Sequence, residues 1–203
     1  KRSGKDYFIE EGDGAFYGPK IDILMEDALG RPWQMGTLQL DFQQPLRFNL
    51  SYIDHEGSKQ TPIAIHRVVY GSLERFIGIL IEHTAGRLPV WLAPEQLRII
   101  QVKDSDEVVA FVSELREQAA KHGIRFTVDD TNESVGKKIR AASQLKVPYS
   151  LVIGEKEVEQ GTLTPRVRAD LAADGREDAS YDADVFFAKL AEEVTARVRT
   201  TTL

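Results

Sequence analysis

Ile65-His66-Arg67-Val68-Val69-Tyr70-Gly71-Ser72-Leu73-Glu74-Arg75-Phe76-Ile77-Gly78-Ile79-Leu80 reads as a strand ending in a histidine, a tight Gly71-Ser72 corner and a helix. In that helix Leu73, Phe76, Leu80 and Thr84 fall at helical spacing and form the expected buried stripe. Arg75 lies off that stripe. At about 100° per residue, Gly71, Arg75, Gly78 and Glu82 share a second stripe, in which small residues flank the guanidinium and leave room for a flat group above it. Two readings of Arg75 stand side by side: it pairs with a carboxylate such as Glu82 while Gly78 permits close helix packing, or it offers its face to a planar ligand.

Upstream, Phe16 to Met25 alternates, with Ile21, Ile23 and Met25 on one face as in a half-buried strand and Tyr17, Lys20 and Asp22 as its polar residues of interest. Leu29-Gly30 marks a turn, and Pro32 to Phe42 returns as the second strand of an antiparallel hairpin. Gln34 and Gln39 stand five apart, which a strict period of two sends to opposite faces; a bulge at Gly36 realigns them. Paired amides in a strand equally suit a solvated edge. Residues 43–60 form an irregular polar connector before Ile63 to His66 resumes strand character. A lone histidine there suits a hydrogen-bonded structural role as well as a ligand role, since one imidazole does not make a zinc site. Lys1 to Gly14 is polar and glycine-punctuated, and reads as a cut end.

Composition bounds the rest. A chain of 203 residues can hold one large domain or two small ones, each able to bury a core, and two are expected here; 42% hydrophobic with 29% charged side chains describe a soluble globular protein. Without cysteine there is no disulfide and no thiolate metal site within the chain. No run of about 18 apolar residues occurs and the polar N-terminus is no signal peptide, so a cytoplasmic protein is expected. Residues 1–94 carry 10 basic and 12 acidic side chains and residues 95–203 carry 16 and 20, so binding of nucleic acid requires a local basic patch.

Leu88-Pro89-Val90-Trp91-Leu92-Ala93-Pro94 is extended and proline-bounded, and divides the chain into domains 1–94 and 95–203. Leu97 to Val102 then reads as a strand, followed by a helix capped by Asp104 or Ser105, with Val108, Phe111, Val112, Leu115 and Ala119 inward and Gly123 as its stop. Ile124 to Val128 is a strand, Ser134 to Lys146 a helix, and Pro148 to Gly154 an apolar, central strand. This β-α-β-α-β order implies right-handed crossovers and a parallel core, with Thr162 to Arg168 adding a strand and Asp182 to Arg199 a closing helix. The second helix turns Val135, Ile139, Ala142 and Leu145 inward and carries Lys137, Lys138, Arg140 and Lys146. That charged face is either solvated or, with Asn132 at its start and Glu157 and Arg166 on a neighbouring hairpin, meets unpaired bases. The fold class is thus α/β (α+β): an antiparallel sheet segment, then an α/β domain with a mixed, mainly parallel-core sheet and about three helices.

Gly71-Ser72-Leu73-Glu74-Arg75-Phe76 resembles motif 3 of the class II aminoacyl-tRNA synthetases, in which the arginine stacks on the adenine of ATP. With Ile65-His66-Arg67 before it and Thr84-Ala85-Gly86-Arg87-Leu88-Pro89-Val90-Trp91-Leu92-Ala93-Pro94 after it, the stretch resembles the threonyl branch of that family, and the likeness runs over nearly all of the chain. Phe16-Tyr17-Gly18-Pro19-Lys20 and Gly36-Thr37-Leu38-Gln39-Leu40-Asp41-Phe42 resemble the family's active-site strands, with Met35 where some relatives have cysteine. The resemblance implies catalytic roles for Tyr17, Lys20, Gln39 and Arg75. It implies ATP contacts from Gln34, Thr37, Gln39, Ser72 and Arg75, and threonine contacts from Tyr17, Gln39 and His66. His66 becomes, by the same likeness, one of three protein ligands to a zinc that selects threonine over valine, the other two being an upstream cysteine and histidine not present here. Residues 95–203 resemble the anticodon-binding domain shared by threonyl-, prolyl-, glycyl- and histidyl-tRNA synthetases, which implies Asn132, Arg140, Lys146, Glu157 and Arg166 as anticodon readers.

The activity implied is activation of threonine with ATP and Mg²⁺ and its transfer to tRNA(Thr) by a homodimeric, cytoplasmic ligase with no membrane partner. One Zn²⁺ is expected per intact subunit and none in these residues alone, which are expected to be inactive without the family's upstream regions. A non-catalytic, synthetase-like RNA-binding adaptor and a prolyl-type synthetase are the rival readings. Tyr17, Gln39, His66 and Arg75 occurring together tell against the first, and the Ile-His-Arg setting of His66 against the second.

Overall fold

In the computed structural model, which describes residues 4, 6–172, 179–201 and 203, the alternating stretches β1 (Lys20–Glu26) and β2 (Pro32–Asp41) pair antiparallel. Asp27 closes their turn, its Oδ1 accepting the amides of Leu29 and Arg31 at 2.9 and 3.0 Å. Ile23 pairs with Gly36 but Leu24 with Gln34, so Met35 is the extra residue of a β-bulge. Three short elements follow: α1 (Gln44–Arg47), then β3 (Tyr52–Ile53) paired with β4 (Lys59–Gln60). The next strand, β5 (Ala64–Val68), joins β2 to give the antiparallel order β1-β2-β5. Gly71 makes the corner at φ +63°, where a Cβ would stand 3.0 Å from the Met35 carbonyl oxygen, and α2 (Leu73–Thr84) starts on Ser72, whose hydroxyl accepts the Arg75 amide at 3.2 Å.

These elements make one compact unit, Lys1–Ala85. Its strand alternation follows the sequence, but the expected covering does not: Ile21, Ile23 and Met25 are 66%, 50% and 58% exposed, and Leu73 of the helix stripe is exposed too. Period tells which side chains share a face, and says nothing of what covers it, which here leaves Ile21, Ile23 and Met25 half or more exposed. Met35 and Pro45 are its buried apolar side chains among the described residues.

The second unit, Gly86–Leu203, contains β6 (Leu97–Gln101), α3 (Asp106–Lys121), β7 (Phe126–Asp129), α4 (Val135–Gln144), β8 (Tyr149–Ile153) and α5 (Glu155–Gln160). It continues with β9 (Thr162–Leu163), β10 (Arg166–Val167), β11 (Tyr181–Asp182) and α6 (Ala183–Ala196). The main sheet runs β10-β8-β6-β7, parallel among β8, β6 and β7 and antiparallel at the β10 edge. Leu97, Ile99, Val108, Leu115, Leu151, Phe186, Phe187 and Leu190 are buried in its core.

Several expectations for this unit need correction. Glu157 sits in the short helix α5, a fourth helix, rather than on a hairpin, and the Thr162–Arg168 strand splits into β9, paired with β11, and β10, paired with β8. Ser105 occupies the N-cap of α3, but its hydroxyl makes no capping bond. Leu145 is exposed because the helix has ended at Gln144. Lys138 is only 3% exposed, its Nζ donating to the carbonyls of Gln101 at 2.8 Å and Asp129 at 3.2 Å. It stands three residues after Val135 and four before Ala142, hence on the inner stripe, and its ammonium reaches carbonyls at the carboxyl ends of β6 and β7.

The unit also begins earlier than the Pro94 boundary. Val90 is buried in its core; Arg125 donates to the carbonyls of Trp91 and Ala93 at 2.9 and 2.8 Å, and Arg168 to that of Leu88 at 2.8 Å. No described helix is long and apolar enough to cross a membrane.

Candidate functional site

The bulge gathers the polar residues of the first sheet. With Met35 taken up by it, Gln34, Thr37, Gln39 and Asp41 share a face with Lys20 and Asp22 of β1 and His66 of β5, because cross-strand partners point the same way. Tyr17 donates its hydroxyl proton to Gln39 Oε1 at 2.9 Å. Gln34 Nε2 donates to Asp22 Oδ1 at 2.6 Å and to Thr37 Oγ1 at 3.0 Å, and Thr37 donates to the same Asp22 oxygen at 2.7 Å. Lys20 Nζ lies 2.9 Å from Asp13 and 3.2 Å from Asp22. Hydrogen bonds to Asp13 and then Asp22 raise the Lys20 pKa, so the ammonium is a fixed positive charge here. Burial works to raise the pKa of Asp22, but bonds from Thr37, Lys20 and Gln34 outweigh it and hold the carboxyl below its ordinary value.

At the other end of this face, Asp41 is 1% exposed. Its Oδ1 accepts the amides of Gln43 and Gln44 at 2.9 Å, and Oδ2 meets His66 Nε2 at 2.9 Å. The Gln44 amide and then His66 lower its pKa. A carboxylate only accepts, so Nε2 carries a proton in this contact and Nδ1 is the ring nitrogen not engaged by Asp41. One imidazole nitrogen is not a zinc site: among the described residues no group of three His, Cys, Asp or Glu is placed to hold an ion. This chain by itself does not fit the metal.

Beyond the last β2–β5 pair, Gly71 abuts Met35 and sets the start of α2 beside the strand. Arg75 Nη1 donates to the Gln34 carbonyl at 3.4 Å, and its guanidinium carbon stands 5.7 Å from the Trp33 ring centroid. Glu82 instead pairs with Arg31, Nη2 to Oε2 at 3.0 Å, so the expected alternative of an Arg75–Glu82 pair does not form. Around Gly78 a Cβ would meet nothing within 4 Å, which leaves the space that the stripe of small residues implies. The Ser72 hydroxyl caps α2 and donates to Glu74 at 2.9 Å.

Sequence reasoning passed over Asp41 and Trp33. Asp41 stands two residues from Gln39 and shares its face by simple alternation, a signal that was there to use. Trp33 gave none, since its approach to Arg75 depends on where α2 docks.

In the second unit, Lys146 and Arg166 line one cleft of about 330 Å³ together with Arg87, Ser143, Ser150 and Arg168. Lys146 has φ +59°, and Arg168 fixes this turn by donating to the Lys146 carbonyl at 2.5 Å while gripping Asp170. Asn132 and Glu157 lie elsewhere, after the carboxyl ends of β7 and β8, whereas Lys146 precedes β8 and Arg166 pairs with Ser150 near its amino end. Arg140 is exposed midway along α4 and does not line that cleft. The five expected base readers thus do not converge on one cavity.

Comparison with known proteins follows this division. Residues 4–84 match the family model described as tRNA synthetase class II core domain (G, H, P, S and T), and residues 96–201 that described as anticodon binding domain. The chain is 48% identical to the threonine–tRNA ligase of Carboxydothermus hydrogenoformans over 97% of its own length and 29% of that relative's. It is 52% identical to the threonine–tRNA ligase of Clostridium botulinum over 82% of this chain and 26% of the relative. It therefore spans less than a third of the length of these curated relatives. Among solved structures, the RNA binding domain of threonyl-tRNA synthetase from Cryptosporidium parvum Iowa II matches with a TM-score of 0.80 at 36% identity, covering 99% of this chain and 48% of that one. With the core-domain model on its first unit and the anticodon-binding model over more than half of its residues, the chain belongs to the class II aminoacyl-tRNA synthetases.

Proposed function

We propose that these residues form the end of the catalytic domain and the anticodon-binding domain of a threonine–tRNA ligase, the two roles falling on the units before and after Ala85. The observation that carries this reading is the bulge-aligned polar face, which sets Tyr17, Lys20, Gln34, Thr37, Gln39 and His66 side by side with Arg75 at its end. Arg75 supports the adenine of ATP, with Gln34, Thr37 and Ser72 nearby. Tyr17 and Gln39 receive the amino acid, and Lys20 supplies positive charge as the threonine carboxylate attacks the α-phosphate and pyrophosphate leaves with Mg²⁺. His66 would offer Nδ1 as one of three zinc ligands, with an upstream cysteine and histidine completing the set that would select threonine, and Asn132, Arg140, Lys146, Glu157 and Arg166 contact the anticodon of tRNA(Thr). The intact enzyme is a cytoplasmic homodimer. Pyrophosphate exchange on an intact ligase containing these residues tests it: threonine-dependent exchange is expected. Proline-dependent exchange would make it a prolyl enzyme, and no exchange with any amino acid would leave an RNA-binding adaptor.

A further inference from the structure

Trp33 has no part in the assignments above, yet its ring meets both guanidinium groups nearby, Arg75 at 5.7 Å and Arg31 at 5.8 Å from the centroid. Its own position is fixed from behind. The indole Nε1 donates to Asp27 Oδ2 at 2.8 Å, and that fully buried carboxylate also accepts Arg31 Nε at 2.5 Å and the amides of Leu29 and Arg31. Arg31 reaches on to Glu82, which lies on the same stripe of α2 as Arg75. The network is therefore closed: Asp27 holds the ring and Arg31, Arg31 holds α2, and α2 returns to the ring through Arg75. Burial works to raise the Asp27 pKa, and the bonds from Trp33, Arg31 and Leu29 overcome it to leave the carboxyl well below the ordinary carboxylate range.

Arg75 needs such support. Its one hydrogen bond among the described residues, apart from the backbone cap, is the long one to the Gln34 carbonyl, and no described carboxylate pairs with it. Trp33 pairs with Met25 and Gln34 with Leu24, so the ring lies on the reverse face of β2 from the polar site. Arg75 itself is exposed, so the ring does not enclose its guanidinium.

We propose that Trp33 is a positioning residue for Arg75, holding the guanidinium by a cation–π contact in the plane on which a purine stacks, with Asp27 and Arg31 locking the ring. This deepens the reading of Arg75 as the adenine support and rests on it. The test uses an intact ligase containing these residues, in which pyrophosphate exchange gives KM separately for ATP and for threonine. Trp33→Leu is expected to raise KM for ATP about fivefold, leave KM for threonine within about twofold, and be largely rescued by Trp33→Phe, which keeps a ring. In the 203-residue chain with Trp91→Phe, leaving Trp33 as the single indole, Arg75→Ala is expected to shift the emission without nucleotide. If Arg75→Ala raises KM for ATP but Trp33→Leu does not, the positioning role is wrong while the adenine role stands. If neither variant changes it, the adenine role fails and this inference with it. Equal increases for ATP and threonine, with Trp33→Phe as impaired as Trp33→Leu, would reduce Trp33 to a structural residue and overturn the proposal.

Discussion

Arg75 is a charged group whose neighbours leave its face open, and stacking of that kind is worth about 1–2 kcal/mol once water is excluded. Arg75→Ala should therefore slow exchange at subsaturating ATP about tenfold, read as a rise in KM for ATP rather than for threonine. Asp27 sets a pH dependence of known sign. Its folded pKa is depressed, so its contribution to stability is complete above the unfolded value of about 4 and is lost as pH falls through the folded value. Asp27→Asn should lower the melting temperature at pH 7, and the gap between variant and parent should close progressively in scans below about pH 4.

Elements carry the next constraints. A Cβ on Gly18 would stand 2.2 Å from the Leu40 carbonyl oxygen, and both partners are backbone held by the Leu40-to-Pro19 and Phe42-to-Tyr17 hydrogen bonds. Gly18→Ala should push the Tyr17 segment off β2, costing about 1–3 kcal/mol in urea unfolding and separating Tyr17 from Gln39, with a raised KM for threonine. Much at this scale was legible in advance. The hairpin, the motif helix and the parallel β-α-β-α-β core all follow from period and punctuation, which are local properties of the chain, as does the need for a bulge, expected at Gly36 and found one residue earlier at Met35. What was not legible depends on partners distant in sequence. The spacing of Lys138 put it on the inner stripe, but its charge concealed that, because the carbonyls that satisfy it come from Gln101 and Asp129. The apolar face of β1 was read correctly as a face and wrongly as covered, since alternation carries no information about what lies above a sheet. In the site, Gln34 and Gln39 were legible once a bulge was allowed, whereas the Trp33–Arg75 contact required the docked helix.

Across the whole chain burial is unequal: the connected hydrophobic core lies wholly within Gly86–Leu203. That unit should fold alone, and its start matters. Residues 86–203 should exceed residues 95–203 in stability by about 2–4 kcal/mol in denaturant unfolding, from burial of Val90 and the carbonyl bonds to Leu88, Trp91 and Ala93. The isolated unit should bind an anticodon stem-loop with an affinity that falls with salt, each phosphate contact from Lys137, Arg140, Lys146 or Arg166 adding about 0.7 to the logarithmic slope. Lys138 should be absent from that slope, its ammonium being turned inward. Equal binding of a scrambled loop would remove anticodon reading from this unit. The bulge at Met35, finally, makes the first unit sensitive to counting. Deleting that one residue would restore an unbroken period of two with Gln34, Thr37 and Gln39 still on one face, whereas deleting Gly36 with it would turn Gln34 to the far side of the sheet. Insertions in the connector between Phe48 and Ala64 change no parity in β2, so length variation should be permitted there, and between Gln34 and Thr37 only where it keeps Gln34 and Thr37 on one face.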